Sequence, residues 1–216
     1  MRTGAMLILA VIFLCGYSFA FEDGDWQYWN TEGVSWKFNK DFKGIIEQEF
    51  RFGDKASDFY YQHTDSGIVY SGLAKWLDLA ANYRIIFEEK SQHWHYENRP
   101  HFGATVKYDL QGVALSDRNR FEFRDKEVEK DGWRYRNRLT VKLPGFTKLD
   151  IQPYASDEFF YDFVKRELNT NWLIGGISFK IIKNLKGDVY YQWQYAKSEG
   201  KWKDTNMIGT KLSLSF

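Results

Sequence analysis

Cysteine occurs once in the chain, at Cys15, inside an apolar run close to the start. Everything downstream is cysteine-free, which excludes disulfides, thiolate catalysis and cysteine-ligated metal from that part. Proline is scarce, with three residues in 216, and this together with 19% aromatic residues favours strands over loops or disorder. Charge of one sign is missing too. Without Arg2, 29 of the 30 Lys+Arg remain against 29 Asp+Glu, so the balance is zero. A whole-molecule field for nucleic acid is therefore absent. His63, His93, His95 and His101 do not fall into a metal-ligand spacing, and no glycine-rich loop could cradle a phosphate. No metal or cofactor is expected. Beyond residue 20 there is no long apolar helix, Ser/Gly linker or low-complexity stretch, so the chain reads as one domain.

What is present begins with a leader. Arg2 precedes MLILAVIFLCGYSFA, which ends in Ser18-Phe19-Ala20 with small residues at a cleavage spacing. Residues 1–20 are expected to be a cleaved Sec-type signal peptide, leaving 21–216 as the mature domain. Leu14 stands where a lipidation box wants a small residue, which argues against a lipoprotein.

The stretch DRNRFEFRDKEVEKDGWRYRNRLTVKL, Asp117 to Leu143, puts Arg118, Arg120 and Arg124 at even positions, then Arg134, Arg136 and Arg138. Phe121, Phe123, Trp133, Tyr135, Leu139 and Val141 occupy the odd positions between. Period-two alternation of this kind is the signature of a two-faced β-strand. The polar interruption DKEVEKDG reads as a hairpin loop. Similar runs recur near 25–38, 42–53, 58–71, 75–89, 95–109, 112–125, 132–143, 147–159, 168–181, 186–197 and 203–216, although 58–71 has no assignable faces. NKD, GLAK, LQG, PGFT and KNLK read as tight turns, with longer polar connections between them.

Alternation does not say which face is inside, and a soluble lipocalin-like barrel would use the same pattern. Three features favour an all-β, antiparallel transmembrane β-barrel. The runs exceed the usual soluble strand of about 5–6 residues and suit a tilted bilayer crossing of about 9–11. Trp26, Trp36, Tyr96, Tyr108, Trp133 and Tyr135 sit near run ends, as interfacial girdles do. The chain stops in MIGTKLSLSF, whose terminal Phe216 resembles the signal read by the outer-membrane barrel assembly machinery. An arginine facing lipid at the bilayer midplane costs about 2–4 kcal/mol, so the arginines should face the lumen.

FNKDFKGIIEQEFRF, LAANYRIIFEE, ENRPHFGATVKY, RNRFEFR, WRYRNRLTVKL, IQPYASDEFFYDF and NWLIGGISFKI resemble a family of short Gram-negative outer-membrane barrels, domain of unknown function 2490. The resemblance covers nearly the whole mature chain. It implies a fold and an outer-membrane location, with lipid and lipopolysaccharide as surroundings, and brings no activity. Bacterial single-chain barrels have an even strand number, so the eleven runs are expected to resolve into 10–12 strands, best taken as 12 with 21–38 split in two. Short turns should face the periplasm.

The lumen carries most of the chemical signal. Pairing 112–125 with 132–143 across the loop would set Arg124 near Arg134, Glu122 near Arg136 and Arg120 near Arg138. Arg99, His101, Arg118, Arg120, Arg124, Arg134, Arg136 and Arg138 would form a basic wall facing an acidic wall of Glu47, Glu49, Asp78 and Glu88. The leading expectation is a narrow channel favouring small anionic solutes. Two alternatives stand beside it, a sealed barrel with a salt-bridged lumen and a lipid-modifying hydrolase using Ser91 with His93 or His95. No acid is placed by spacing to orient those histidines, so no catalytic residue is assigned.

Overall fold

The computed structural model describes residues 24–198 and 200–216; the expected leader, 1–20, lies outside them. Eleven strands follow one another without a helix: β1 Asp25–Lys37, β2 Phe42–Gly53, β3 Asp58–Ala74, β4 Leu77–Lys90, β5 His93–Leu110, β6 Val113–Lys126, β7 Gly132–Lys142, β8 Gln152–Asp162, β9 Glu167–Ile182, β10 Leu185–Ser198 and β11 Lys201–Ser215. Each pairs with its sequence neighbour, and β1 pairs with β11 to close the barrel.

Among the described residues the strand count is eleven, not twelve. Residues 25–37 form one unbroken strand with both edges paired, so nothing in that segment divides. In a meander with an odd number of strands the first and last run the same way, and closure is then parallel. Here Asp25–Ser35 lie beside Thr205–Ser215 in that sense. Lys37 N donates to the Phe216 carbonyl at 3.2 Å and Phe216 N to the Ser35 carbonyl at 2.9 Å, extending the seam to the last residue.

The connections also depart from expectation. They are short at both ends rather than alternately short and long, and the longest, 143–151, contains the PGFT expected to be tight. An isolated bridge, Phe146 to Ile151, gives that loop its own small hairpin. Elsewhere the alternation explains itself. The faces of 58–71 were illegible because the β2–β3 ladder shifts between Arg51 and Phe52, leaving Tyr60 as an extra residue. Tyr60 and the following Tyr61 are both buried as a result. Pro100, which has no N–H to give, pairs with Tyr83 in β4, while the β5–β6 ladder is interrupted between Asn98 and His101.

Burial is inverted relative to a soluble domain. Eighteen polar or charged residues are buried against eight hydrophobic ones, and the exposed set includes Ile46, Ile68, Phe102, Leu139, Ile177, Val189, Ile208 and Leu212. All nine strand arginines occupy the inward face of their strands. Trp26, Trp94, Trp133 and Trp202 stand outward near one rim, and Phe38, Trp76, Tyr108 and Phe216 near the other.

Candidate functional site

The lumen of eleven strands lies between the filled interior of about 8 strands and the open channel of 16–18. Its middle is a packed layer to which every strand contributes. Trp29, Phe160, Trp172, Ile174 and Met207 form one apolar cluster, and Tyr60, Tyr61 and Ile86 a second. Arginines join the two chemistries: Arg51 lies 3.6 Å above the Trp29 ring and 4.1 Å above Tyr61, and Arg136 lies 4.2 Å above Phe160. Such stacking satisfies a guanidinium face while its edge remains free to hydrogen-bond.

Two carboxylates anchor the basic side of this layer, and both are fully buried. Glu158 accepts from Arg118 Nη2 at 2.8 Å, from Arg136 Nε and Nη2 at 3.0 and 2.9 Å, and from Arg138 Nε and Nη2 at 2.8 and 2.5 Å. Glu122 accepts from Arg134 at 2.8 and 2.5 Å and from Arg136 Nη1 at 3.3 Å, with Arg120 Nε 2.9 Å and Arg99 Nη1 3.8 Å away. Glu97 holds Arg99 at 2.7 Å and Arg124 at 2.8 Å through both oxygens. Across the lumen, Asp65 holds Arg84 at 2.8 and 2.6 Å and lies 3.0 Å from His101 Nε2, while Glu49 holds Arg51 at 2.7 Å and accepts from Thr31 at 3.2 Å. Charge-assisted, often bidentate bonds of this kind are the strong ones.

Arg99, Arg118, Arg120, Arg124, Arg134, Arg136 and Arg138 lie together around Glu97, Glu122 and Glu158, while His101 turns to Asp65, and the β6–β7 register differs from the expected one. Glu122 stands opposite Arg134, Arg120 opposite Arg136 and Arg118 opposite Arg138. The correction is a slip of two residues. It arises at the loop, where Lys126 N donates to Asp131 Oδ1 at 2.9 Å and the β6–β7 ladder ends with Arg124 opposite Gly132. A two-residue slip preserves faces and changes partners. The acidic wall is not a wall. Glu47 and Glu49 line the lumen, but Asp78 sits toward one rim beside Lys107 at 2.7 Å, and Glu88 toward the other beside Lys90 at 3.3 Å. Phe216 stays outward and exposed at the seam.

Glu158, Asp65 and Trp172 went unnoticed in the sequence, and His63 entered there only as a histidine outside any metal-ligand spacing. Glu158 was within reach, because it lies on the same-parity face as Phe160 and opposite Arg138 once β8 is paired. Asp65 was hidden by the Tyr60 bulge in its own strand. Ser91 stands in the two-residue turn 91–92 between β4 and β5 and His93 opens β5, its Nδ1 3.0 Å from the Ser91 backbone carbonyl rather than facing its hydroxyl. His95 Nδ1 is 3.5 Å from Glu127.

Above the packed layer the lumen widens into a chamber. A cavity of about 210 Å³ abuts Trp29, His63, Arg118, Arg136, Trp172 and Gln192. It adjoins a second of about 400 Å³ bordered by Ser35, Lys43, Asp78 and Ser213, each within a few residues of a strand end at the Phe216 rim. Glu47, Arg84, Arg118, Arg120 and Lys211 border both cavities. Among the described residues, no group of three or more His, Cys, Asp or Glu could hold a metal ion.

Fold and lumen together define a closed β-barrel with a polar, ion-paired interior and an apolar exterior. The chain belongs to the family described as Protein of unknown function (DUF2490), whose model matches residues 26–205. No curated protein and no solved structure matches it significantly.

Proposed function

We propose that this protein is a Sec-exported outer-membrane β-barrel whose lumen is a one-ended chamber rather than a conduit. The observation that carries the reading is the inversion of burial, with arginines inside and Ile, Leu, Val and Phe outside. In water that arrangement would leave a broad apolar surface uncovered; in a bilayer it is the arrangement of least cost, and closure satisfies the backbone groups that lipid cannot. Polar residues on the outer face partner one another: Asn137 Nδ2 donates to Asp117 at 2.5 Å and to Asn119 at 3.2 Å, Tyr135 bonds Asn119, and Thr64 bonds Gln48.

The block in the lumen is what favours a chamber over the anion-selective channel. Glu122, Glu158 and Met207 have no exposure at all, and Ile86 and His63 have 1%. Side chains buried to that degree support a lumen closed at their level. The chamber opens at the Phe216 rim, the periplasmic side for a barrel inserted through its last strand.

Two measurements test the reading. The protein should fractionate with outer membranes and migrate differently on a gel when folded and when boiled. In a planar bilayer, the folded barrel should show no steady conductance. Recovery of the unaltered protein in the soluble periplasm would overturn the membrane placement, and a stable conductance would restore the channel.

A further inference from the structure

The chamber floor carries more positive charge than its carboxylates can match. Arg118, Arg120, Arg134, Arg136 and Arg138 share Glu122 and Glu158 as their ion-pair partners. Arg118 and Arg120 stand directly opposite Arg138 and Arg136 across the β6–β7 ladder, and like charges at paired cross-strand positions destabilise a sheet. Around the smaller cavity, seven cationic side chains face three carboxylates. Of those carboxylates Glu47 is taken by Lys211, and Glu49 by Arg51.

Donors are also left over. Arg120 Nε, although 2.9 Å from Glu122 Oε1, is off the hydrogen-bonding direction and has no hydrogen-bond partner, and neither do Arg118 Nε and Trp172 Nε1. The His63 ring is unpaired as well, one nitrogen being a donor and the other an acceptor in the neutral form, and its Nδ1 lies 3.6 Å from Glu49 Oε1. Arg120 is 6% exposed and His63 1%. Each of these residues borders the smaller cavity. Buried polar groups in folded proteins are normally paired, and an unpaired one is costly. A surplus of guanidinium and unpaired donors beside empty space is the complement of an oxyanion.

We infer that the floor of the chamber is a binding site for a small multivalent oxyanion, a phosphoryl or carboxylate group, held between Arg118 and Arg120 of β6 and Lys211 of β11 on the opposite wall. The group would enter through the larger cavity and place its charge where the two cavities meet. Guanidinium forks match both geometries, and a desolvated oxyanion between them would relieve the Arg118–Arg138 and Arg120–Arg136 repulsion. The inference deepens the chamber reading proposed above, but its chemistry rests on the lumen alone.

The test uses the whole barrel in detergent micelles, with inorganic phosphate and succinate as probes and chloride at matched ionic strength as reference. Phosphate should be taken up saturably, one per barrel, by calorimetry and should raise the melting temperature above chloride. Arg120→Gln and Lys211→Gln, made separately, should each weaken phosphate binding by about tenfold or more. A response to phosphate alone assigns a phosphoryl ligand; an equal response to succinate assigns a general oxyanion site that admits carboxylates. Absence of saturable uptake of either probe by the unaltered protein overturns the inference, as does undiminished binding in both variants. A barrel that conducts, or that stays out of the membrane, yet still binds phosphate through Arg120 would sink the earlier reading and leave this one standing.

Discussion

At the scale of single residues, Glu158 is the clearest keystone. One buried carboxylate accepts from Arg118, Arg136 and Arg138, so Glu158→Gln would keep the shape, strand Arg118 and Arg138 without a counter-charge and leave Arg136 with Glu122 alone. Removing one partner from a buried ionic network costs about 3–5 kcal/mol. The variant should lower the unfolding free energy of the detergent-folded barrel by about that much, read as a lower urea midpoint, and an unchanged midpoint would mean that water already screens the cluster. A milder effect belongs to Glu129 in the 127–131 loop. Its bonds to Lys126 and Lys90 pull its carboxyl down to about 2, from an ordinary 4.5. Because the folded value is the lower one, the loop's extra stability is complete above about 4.5 and is lost as pH falls toward 2. Both partners are partly in solvent, so the effect is small and salt-sensitive. Hydrogen exchange at 127–131 should accelerate across that acid window, and Glu129→Gln should abolish the pH dependence while leaving the rest of the barrel unmoved.

At the scale of elements, two glycines that look alike in the sequence separate. Gly175 and Gly176 adjoin in β9, but a Cβ on Gly175 would meet nothing within 4 Å, whereas one on Gly176 would come 2.7 Å from Tyr190 Cβ and 2.9 Å from the Tyr154 ring. The same Tyr190 ring covers Gly209 of β11, where a Cβ would lie 2.0 Å from it. Tyr190 thus sits between two small cross-strand partners, its Cβ beside Gly176 and its ring over Gly209. Gly209→Ala should push the ring off and cost about 1–3 kcal/mol as overpacking, while Gly175→Ala should stay within about 0.5 kcal/mol of the parent protein. Equal costs at both sites, read from the same unfolding titration, would refute this account of the packing. Period two reveals that a glycine lies on a strand and on which face. Which ring crosses above it depends on the neighbouring strand's register, and that is set by turns and bulges such as the one at Tyr60.

At the scale of the molecule, the parallel seam is the feature with the sharpest test. Ser35 and Ser215 are register partners whose hydroxyl oxygens lie 3.1 Å apart. The described chain has no cysteine of its own. A Ser35→Cys, Ser215→Cys protein should therefore form one intramolecular disulfide on mild oxidation, and the circular product should migrate anomalously after boiling. Failure to cross-link under conditions that oxidise exposed thiols would speak for a different closure. Deleting Phe216, whose backbone bonds Ser35 and Lys37, should weaken the same seam and, under the outer-membrane placement proposed above, leave chain in the periplasm.

Much of this molecule can be read in one dimension. Alternation is a local property, with each side chain pointing opposite to the last, so the positions of eleven strands and the inward face of Arg99, Arg118, Arg120, Arg124, Arg134, Arg136 and Arg138 follow from the residues themselves. Partners do not. A slip of two residues leaves every face unchanged while moving Arg134 from Arg124 to Glu122, and only the closed barrel fixes which slip occurs. Strand number likewise rests on a long-range event, the meeting of β1 and β11. So does the difference between a pore and a chamber. Trp29, Phe160, Trp172 and Met207 come from four strands spread across the chain, and they form the one apolar cluster on which the proposed chamber rests because closure brings their side chains to one level.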